Sequence, residues 1–435
     1  MTATRHLVAF VAGLLLAQAG VLQADTLAPS TLALLRELKP LTDDVARYRH
    51  LSDALPTLPE DQRSVARQML ASVESDLGLY AEALADFPFG QHAALDEPLS
   101  PAGWRERDAA DAITRLAHGR RLVMINETHH DPRTRLLTLA LLPRLKAEGF
   151  THLAIEALGD QDATLATPGY PLRDSGSEYL REPLYGEIVR EALRLGFILV
   201  PYEVDTGTFE EREAGQARNL YRKVFQGHPE ARLFVHAGPA HIDKAKGRLG
   251  NAVPMAAQLA RLSGIEPLSI DQSLFRESTP FATTDGAAAT PAMSRAFVLM
   301  KRDASGRASA FWSDRPELHD VSVILPPLAR GDKRDQSGSA PDGHRPSWLD
   351  LGGRRAPLPI DASLCAGMLP CLVEAFHADE PDEAVAADRY LLSASGTRSA
   401  LYLFPGRYRL RARDPEGKTL AERSIEIAAR TASSQ

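Results

Sequence analysis

Acids and imidazoles recur in four short stretches of this chain. Glu127, His129 and His130 lie within Asn126-Glu127-Thr128-His129-His130-Asp131, and Glu156 sits in IEAL. Glu203 and Asp205 close PYEVD, and His236 and His241 flank Gly238 in HAGPAHID. Neutral imidazoles and carboxylates are the ligands that divalent transition metals favour. His129, His241 and either Glu127 or Glu156 would hold such a metal and leave one position open for water. A metal so placed brings the pKa of its water to about 7 and makes a nucleophile without Ser or Cys. Without a metal, one of the carboxylates would serve as general base, because burial and like-charged neighbours raise its pKa. Arg218 would then steady an oxyanion or a substrate carboxylate through paired hydrogen bonds. Glu127 and Glu156 also suit a supporting role, orienting His129 and His241. The residues alone leave these assignments open. A lone Glu or His at a strand end is most often a surface or capping group; four ends of one kind weigh against that.

Other candidates weigh less. His118, His152, His228 and His319 fall in loops or at element ends and are expected to be solvated. Ser175 to Ser177 lack the GxSxG elbow of a serine hydrolase. Neither GxGxxG nor GxxxxGK[ST] occurs, so a nucleotide cofactor is not expected.

The elements that must carry these groups follow from periodicity. Short apolar runs alternate with amphipathic helices from Arg121 onward: RLVMIN (121–126), THLAIEAL (151–158), FILVPYEVD (197–205), ARLFVHAG (231–238) and IEPLSID (265–271). Between them lie helical stretches at 134–148, 185–195 and 210–226. Repeated strand–helix–strand units imply a mainly parallel sheet covered by helices, and ligands bind at the carboxyl ends of such strands. AFVLMKR (296–302) and DVSVILPP (320–327) read as later strands of the same domain. The organisation expected is a helical segment at 25–100, an α/β domain at 101–328, a linker at 329–346 and a small β-sandwich-like domain at 347–435. The linker is rich in Gly, Asp, Ser, Arg and Pro. The last segment carries DRYLLSA, SALYLFPG, RYRLRARD and TLAERSIEI, the last two joined by DPEGK. FPGRYRLRARDPEGKTL resembles the small accessory β-sandwich modules of the carboxypeptidase regulatory-like and prealbumin-like kinds.

From about Arg120 to Ser273 the chain resembles the superfamily of Tiki and TraB-type proteins, erythromycin esterases and ChaN-like haem-uptake proteins. NETHH stands for a first GExH-like motif, with Asn126 where Gly is usual, and IEAL supplies the Glu of the second strand. REAGQARNL, with Arg212, Arg218 and Asn219, resembles the polar helix. HPEARLFVHAGPAHIDK matches the second GxxH-like motif through His236, Gly238 and His241. The resemblance implies a hydrolase, metal-dependent or acid–base, acting on a peptide, ester or related bond of a small-molecule or peptide substrate. Its ChaN-like branch implies instead a periplasmic haem- or metal-binding protein without turnover, with His130 or His236 as axial ligand. A third expectation is a scaffold kept for protein contacts.

Composition narrows the classes further. The formal charge of −7 argues against a nucleic-acid partner, which needs a basic stripe. Cys365 and Cys371, in CAGMLPC, are expected to form a local disulfide in an oxidising compartment. Past the first residues no stretch is apolar enough to span a membrane.

Residues 1–24 read as a signal peptide. Arg5 and His6 precede the apolar run Leu7 to Ala17, and AQA and LQA offer cleavage after Ala19 or Ala24. The protein is therefore expected to be periplasmic or secreted. Intact-mass measurement of the exported protein should give an N-terminus at Gly20 or Asp25; a species that retains Met1 and fractionates with membranes would refute export.

Overall fold

The computed structural model describes residues 29–88, 104–159, 165, 167–204, 208–275, 295–302, 308–326 and 345–429. The expected signal peptide, most of the linker and Asp205 lie outside the described residues.

The central sheet has nine strands among the described residues, in the order β1-β7-β9-β6-β2-β5-β3-β4 with β8 paired to β7. Its parallel part comprises β2 (Leu122–Asn126), β3 (His152–Ile155), β4 (Ile198–Val200), β5 (Leu233–Ala237), β6 (Leu268–Phe275) and β9 (Val321–Ile324). β1 (Trp104–Asp108), β7 (Phe297–Arg302) and β8 (Ala308–Phe311) add an antiparallel edge. Strand β4 is shorter than the expected 197–205 and ends before Pro201, which has no N–H for the ladder. β1 and β8 were not legible in the sequence: WRERD and ASAF lack an apolar run, and β7 recruits both as edges.

Alternate residues of each buried strand feed two opposite cores. Val123, Ile125, Leu153, Ile155 and Phe234 pack with α5 (Ala109–Ala117), α6 (Arg133–Ala147) and α7 (Pro183–Arg194). Leu122, Met124, Ala154, Leu233 and Val235 pack with α8 (Phe209–Leu220) and α9 (Met255–Ser263). Burial on both faces is what parallel strands require. Pro183 opens α7 at its first turn while the Glu182 side chain accepts from the Tyr185 N–H, the usual chemistry of a helix start. The expected helix at 210–226 is instead α8 followed by a π turn, Tyr221–Phe225.

The two ends of the chain build one further unit. α1 (Pro29–Leu38), α2 (Asp44–Ala54) and α3 (Glu60–Asp76) pack on antiparallel strands from the far end of the chain, and Tyr80 of α4 (Tyr80–Asp86) packs with Trp348 and Tyr402. β12 (Asp388–Leu392), β11 (Cys371–His377), β14 (Gly406–Arg413) and β15 (Thr419–Ile427) form a four-stranded sheet, and β10 (Ala356–Asp361) pairs with β13 (Arg398–Leu403). β10 and β11 escaped the sequence reading. Leu70, Leu77, Leu372, Leu391 and Leu410 meet in one core. Across it the Leu391 N–H donates to the Leu77 carbonyl at 3.2 Å, and Arg389 donates to Asp44 at 2.8 Å. Arg345, expected in the linker, is buried and donates to Asp388 at 2.6 Å. In DPEGK, Asp414 accepts from the N–H groups of Glu416 and Lys418, and Gly417 takes a φ of 85°, open to glycine at little cost. Cys365 and Cys371 are disulfide-bonded. Among the described residues no helix is long and apolar enough to cross a membrane.

A shared core should unfold as a unit. Leu77→Ala and Leu372→Ala, one from each end of the chain, should each cost about 2–5 kcal/mol in the same denaturant transition. Reducing the disulfide, whose loop is short, should cost about 2 kcal/mol. Two separate transitions, each sensitive to only one of the leucine substitutions, would show that the ends do not fold together.

Candidate active site

The carboxyl edge of the sheet is pinned by Asn126. Its amide donates to the Pro239 carbonyl at 2.9 Å and to Ser273 Oγ at 3.1 Å, and its oxygen accepts from the Gln272 N–H at 2.8 Å. These bonds tie the ends of β2, β5 and β6 together, a task a glycine could not perform. Just beyond, the Glu127 N–H bonds the Ala237 carbonyl at 2.8 Å, which carries the β2–β5 ladder one residue further and sets the Glu127 side chain at the seam.

Glu127 is fully buried and ringed by donors. Oε1 accepts from Tyr185 Oη at 2.9 Å and lies 2.8 Å from His129 Nδ1. Oε2 accepts from Arg135 Nε at 2.8 Å, and His236 Nε2 lies 3.3 Å away. Burial alone would raise its pKa; Arg135 and then His129 outweigh it and hold the carboxyl well below the usual range. Glu127 is therefore held as the carboxylate, with Oε1 at His129 Nδ1. The ring of His129 stacks on Tyr179 at 3.9 Å between centroids, while its carbonyl accepts from Arg135 at 2.8 Å. With Nδ1 directed at Glu127, Nε2 is the nitrogen turned toward Gly238.

Gly238 supplies the floor. A Cβ added there would stand 3.0 Å from Glu156 Oε2, 3.3 Å from His241 Cδ2 and 3.5 Å from His129 Nε2. Glu156 follows β3 and accepts from the Gly238 N–H at 2.5 Å and from Arg212 at 2.5 Å. Burial opposes its charge, but His241 and Arg212 outweigh burial and hold it well below the carboxylate range. Arg212 also donates to Glu203, through Nε at 3.0 Å and through Nη2. His241 lies with Nδ1 2.5 Å from Glu213 and Nε2 3.4 Å from Glu156. Burial lowers its pKa, yet Glu213 and Glu156 prevail and push it up to about 10. Its Nε2 also stands 3.2 Å from Arg212 Nη1, a contact that would suit a neutral ring. With three carboxylates around the two groups, the imidazolium is favoured and its Nε2–H is directed at Glu156. Exposure grades from the floor upward: Glu127 is 0%, His241 8%, His129 19% and Arg212 22% exposed at their side chains.

Five of the expected site residues thus converge: Glu127, His129, Glu156, His236 and His241. His236 does so from below, buried, with Nδ1 2.9 Å from Thr138 Oγ1 and Nε2 facing Glu127; it positions rather than meets a substrate. Arg218 does not converge. It is exposed and lines a separate depression with Arg222, Tyr221 and Leu262. The reason is helical period: six residues at 100° each put Arg218 some 120° around α8 from Arg212. Arg212 is the guanidinium at the site, and Glu213 and Gln216 share its side of the helix. His130 stacks face to face on Phe87 at 3.4 Å, against the N-terminal segment. His319, expected to be solvated, is buried, with Nε2 3.1 Å from Ser322 Oγ, because β9 follows it immediately. Tyr179, Tyr185, Arg135 and Glu213 were missed by sequence reasoning. Arg135 and Glu213 could have been suspected as charges on otherwise buried helix faces; the tyrosines carry no local signal.

The donor set does not fit a metal. Glu127 is filled by Arg135, Tyr185 and His129; Glu156 is bonded to Arg212 and a backbone N–H; His241 has a carboxylate at each nitrogen. A divalent ion would have to displace guanidinium groups already neutralising those acids. Among the described residues no three His, Cys, Asp or Glu side chains are disposed to hold one. His130 and His236, the axial ligands expected for haem, are both buried, at 4% and 0% exposure.

The pH dependence of stability follows from His241. Its folded pKa lies above the unfolded value of 6.5, so its contribution is complete below about pH 6.5 and lost as pH rises toward 10. Between pH 7 and 10 the wild-type midpoint should therefore fall more steeply than that of His241→Gln, as thermal melts would show; parallel profiles would contradict the charged imidazole.

No family model matches the chain, and no curated protein matches it. Among solved structures, it is similar to the type III effector HopBA1 at 15% identity, over 53% of this chain and 99% of that one, with a TM-score of 0.30. It is also similar to RRSP, a MARTX toxin effector domain from Vibrio vulnificus, at 22% identity, over 39% of this chain and 36% of that one, with a TM-score of 0.26. At these scores neither likeness carries an inference about the present chain.

Proposed function

We propose that the protein is a metal-independent hydrolase of ester or amide bonds, with His129 as general base. The observation that carries this is the His129–Glu127 pair: a buried anion bonds Nδ1 and leaves Nε2 on the side of Gly238, with the His129 side chain 19% exposed. Glu127 and Glu156 are both held as anions by their cationic neighbours, which makes them poor proton acceptors and leaves the imidazole as the base.

In the reaction so assigned, Nε2 of His129 takes a proton from water while the water oxygen adds to the substrate carbonyl. The negative charge that develops on the carbonyl oxygen is met by Arg212 on the far side of Gly238, whose Nη1 is bonded to no carboxylate. Its charge is already present before reaction, held by Glu156 and Glu203, so little reorganisation is needed. Collapse of the tetrahedral adduct breaks the bond to the leaving group, which receives the proton from His129. Glu127 keeps the ring in the productive tautomer and stabilises it while it is charged. The resemblance to the erythromycin-esterase and Tiki superfamily points to the same reaction class.

A panel of p-nitrophenyl esters and fluorogenic peptides, assayed with and without EDTA, tests the proposal. Turnover should persist in EDTA and fall about 10²–10⁴-fold in His129→Ala. Arg212→Ala should lower it strongly and Arg218→Ala should not. Gly238→Ala should lower turnover strongly, because its methyl would press on Glu156 Oε2 at 3.0 Å and stand 3.5 Å from His129 Nε2. Retention of the full rate by His129→Ala, or loss of activity on chelation restored by a divalent ion, would refute the assignment.

A further inference from the structure

A run of buried polar contacts leads from the catalytic imidazole out of the α/β domain. His129 Nδ1 meets Glu127 Oε1 at 2.8 Å, and Glu127 Oε2 accepts from Arg135 Nε at 2.8 Å. Arg135 Nη1 lies 3.1 Å from Glu182 Oε2, and Glu182 Oε1 accepts from Tyr80 Oη at 2.7 Å. The side chains of Glu127, Arg135 and Glu182 are at most 1% exposed, and Tyr80 is 2% exposed. Tyr80 belongs to α4, in the N-terminal helical segment, 102 residues before its partner. From the other side its ring is held by the C-terminal segment: Arg345 lies 4.8 Å above it and Trp348 stacks at 6.0 Å. One hydroxyl thus joins the unit built from both chain ends to the orienting apparatus of the base.

Arg135 is shared between two carboxylates, Glu127 and Glu182, and every donor that satisfies Glu182 changes how firmly it draws on that guanidinium. Tyr80 is such a donor; the Tyr185 N–H, at 3.1 Å, is another. We propose that Tyr80 is a positioning residue for His129: through Glu182 and Arg135 it sets the strength of the Glu127–His129 hydrogen bond, so the helical segment and C-terminal strands complete the active site. This rests on the assignment of His129 as base. The other groups that face the His129–Glu127 pair, namely Tyr179, Tyr185, His236, Glu156 and His241, come from the α/β domain itself. A simple anchoring role would leave Tyr80 as one more interface contact, so the two roles differ in what they do to a bond three residues along the chain of contacts.

The test uses the whole folded chain, labelled with ¹⁵N-histidine, and reads the imidazole Nδ1–H resonance that is lost in His129→Gln. Tyr80→Phe removes one donor from Glu182, which then draws Arg135 away from Glu127. The carboxylate left richer in charge should shorten its bond to His129 and move the resonance downfield. Glu182→Gln removes the competing charge, returns Arg135 wholly to Glu127 and should move the resonance upfield. Shifts of opposite sign support the proposal; no shift in a folded variant, or two shifts of one sign, overturns it. If one variant fails to fold, the sign of the other decides. The resonance is read without turnover, so this outcome stands apart from whether the site hydrolyses an ester. Where turnover is found, Tyr80→Phe should raise kcat several-fold at unchanged KM and Glu182→Gln should lower it.

Discussion

The burial of the Glu127 carboxylate is the constraint from which the rest of the site follows. An ionised acid removed from water costs several kcal/mol unless charge and hydrogen bonds replace its hydration. Here Arg135, Tyr185 and His129 supply them, each from a different segment. Arg135 is itself buried, and Glu182 gives it a second counter-charge at 3.1 Å from Nη1, while Glu182 accepts from Tyr80 and from the first turn of α7. Each group solves the desolvation of its neighbour, and the sequence of solutions runs from the sheet edge to the surface unit. Removing one member would leave a buried charge uncompensated, which is far costlier than the net worth of any single pair.

Two carboxylates at one sheet edge take different partners and therefore different roles. Glu127 sees a guanidinium, a phenol and an imidazole in a dry setting, and it orients. Glu156 sees Arg212, His241 and the Gly238 N–H nearer the mouth, and it holds cations in place. The two imidazoles divide in the same way. His129 has one anion at one nitrogen, whereas His241 has an anion at each and carries charge past neutral pH. The pair is asymmetric: one imidazole has a single carboxylate at hydrogen-bond distance and the other has a carboxylate at each nitrogen.

The two chain ends are physically one body. Leu77 and Leu372 share a core, Arg389 reaches Asp44, and Arg190 of α7 bonds Glu380 at 2.8 Å. Glu187 of the same helix lies 3.1 Å from His377. What reads along the chain as a preface and an appendage is, in space, a wall packed on α7, the helix whose first turn supplies Glu182 and Tyr185 to the site.

Local pattern was enough to read the α/β class, the four strand ends that converge, the helices near 134–148 and 185–195, and the disulfide. Periodicity and strand-end chemistry are short-range properties, and a parallel sheet must deliver its strand ends to one edge. What the pattern could not contain is partner choice. Arg212 and Arg218 look alike in REAGQARNL, and only the rotation of α8 about its axis decides which guanidinium meets Glu156. His129 and His130 are adjacent, yet one turns to Glu127 and the other to Phe87. Whether Glu127 binds a metal or orients an imidazole depends on Arg135 and Tyr185, eight and 58 residues away. Tyr80 lies further still from the imidazole it is linked to, because the contact forms only when both ends of the chain close on α7. Distances of that kind are settled by packing, where the need to satisfy each buried charge selects one arrangement among many that the same residues would permit.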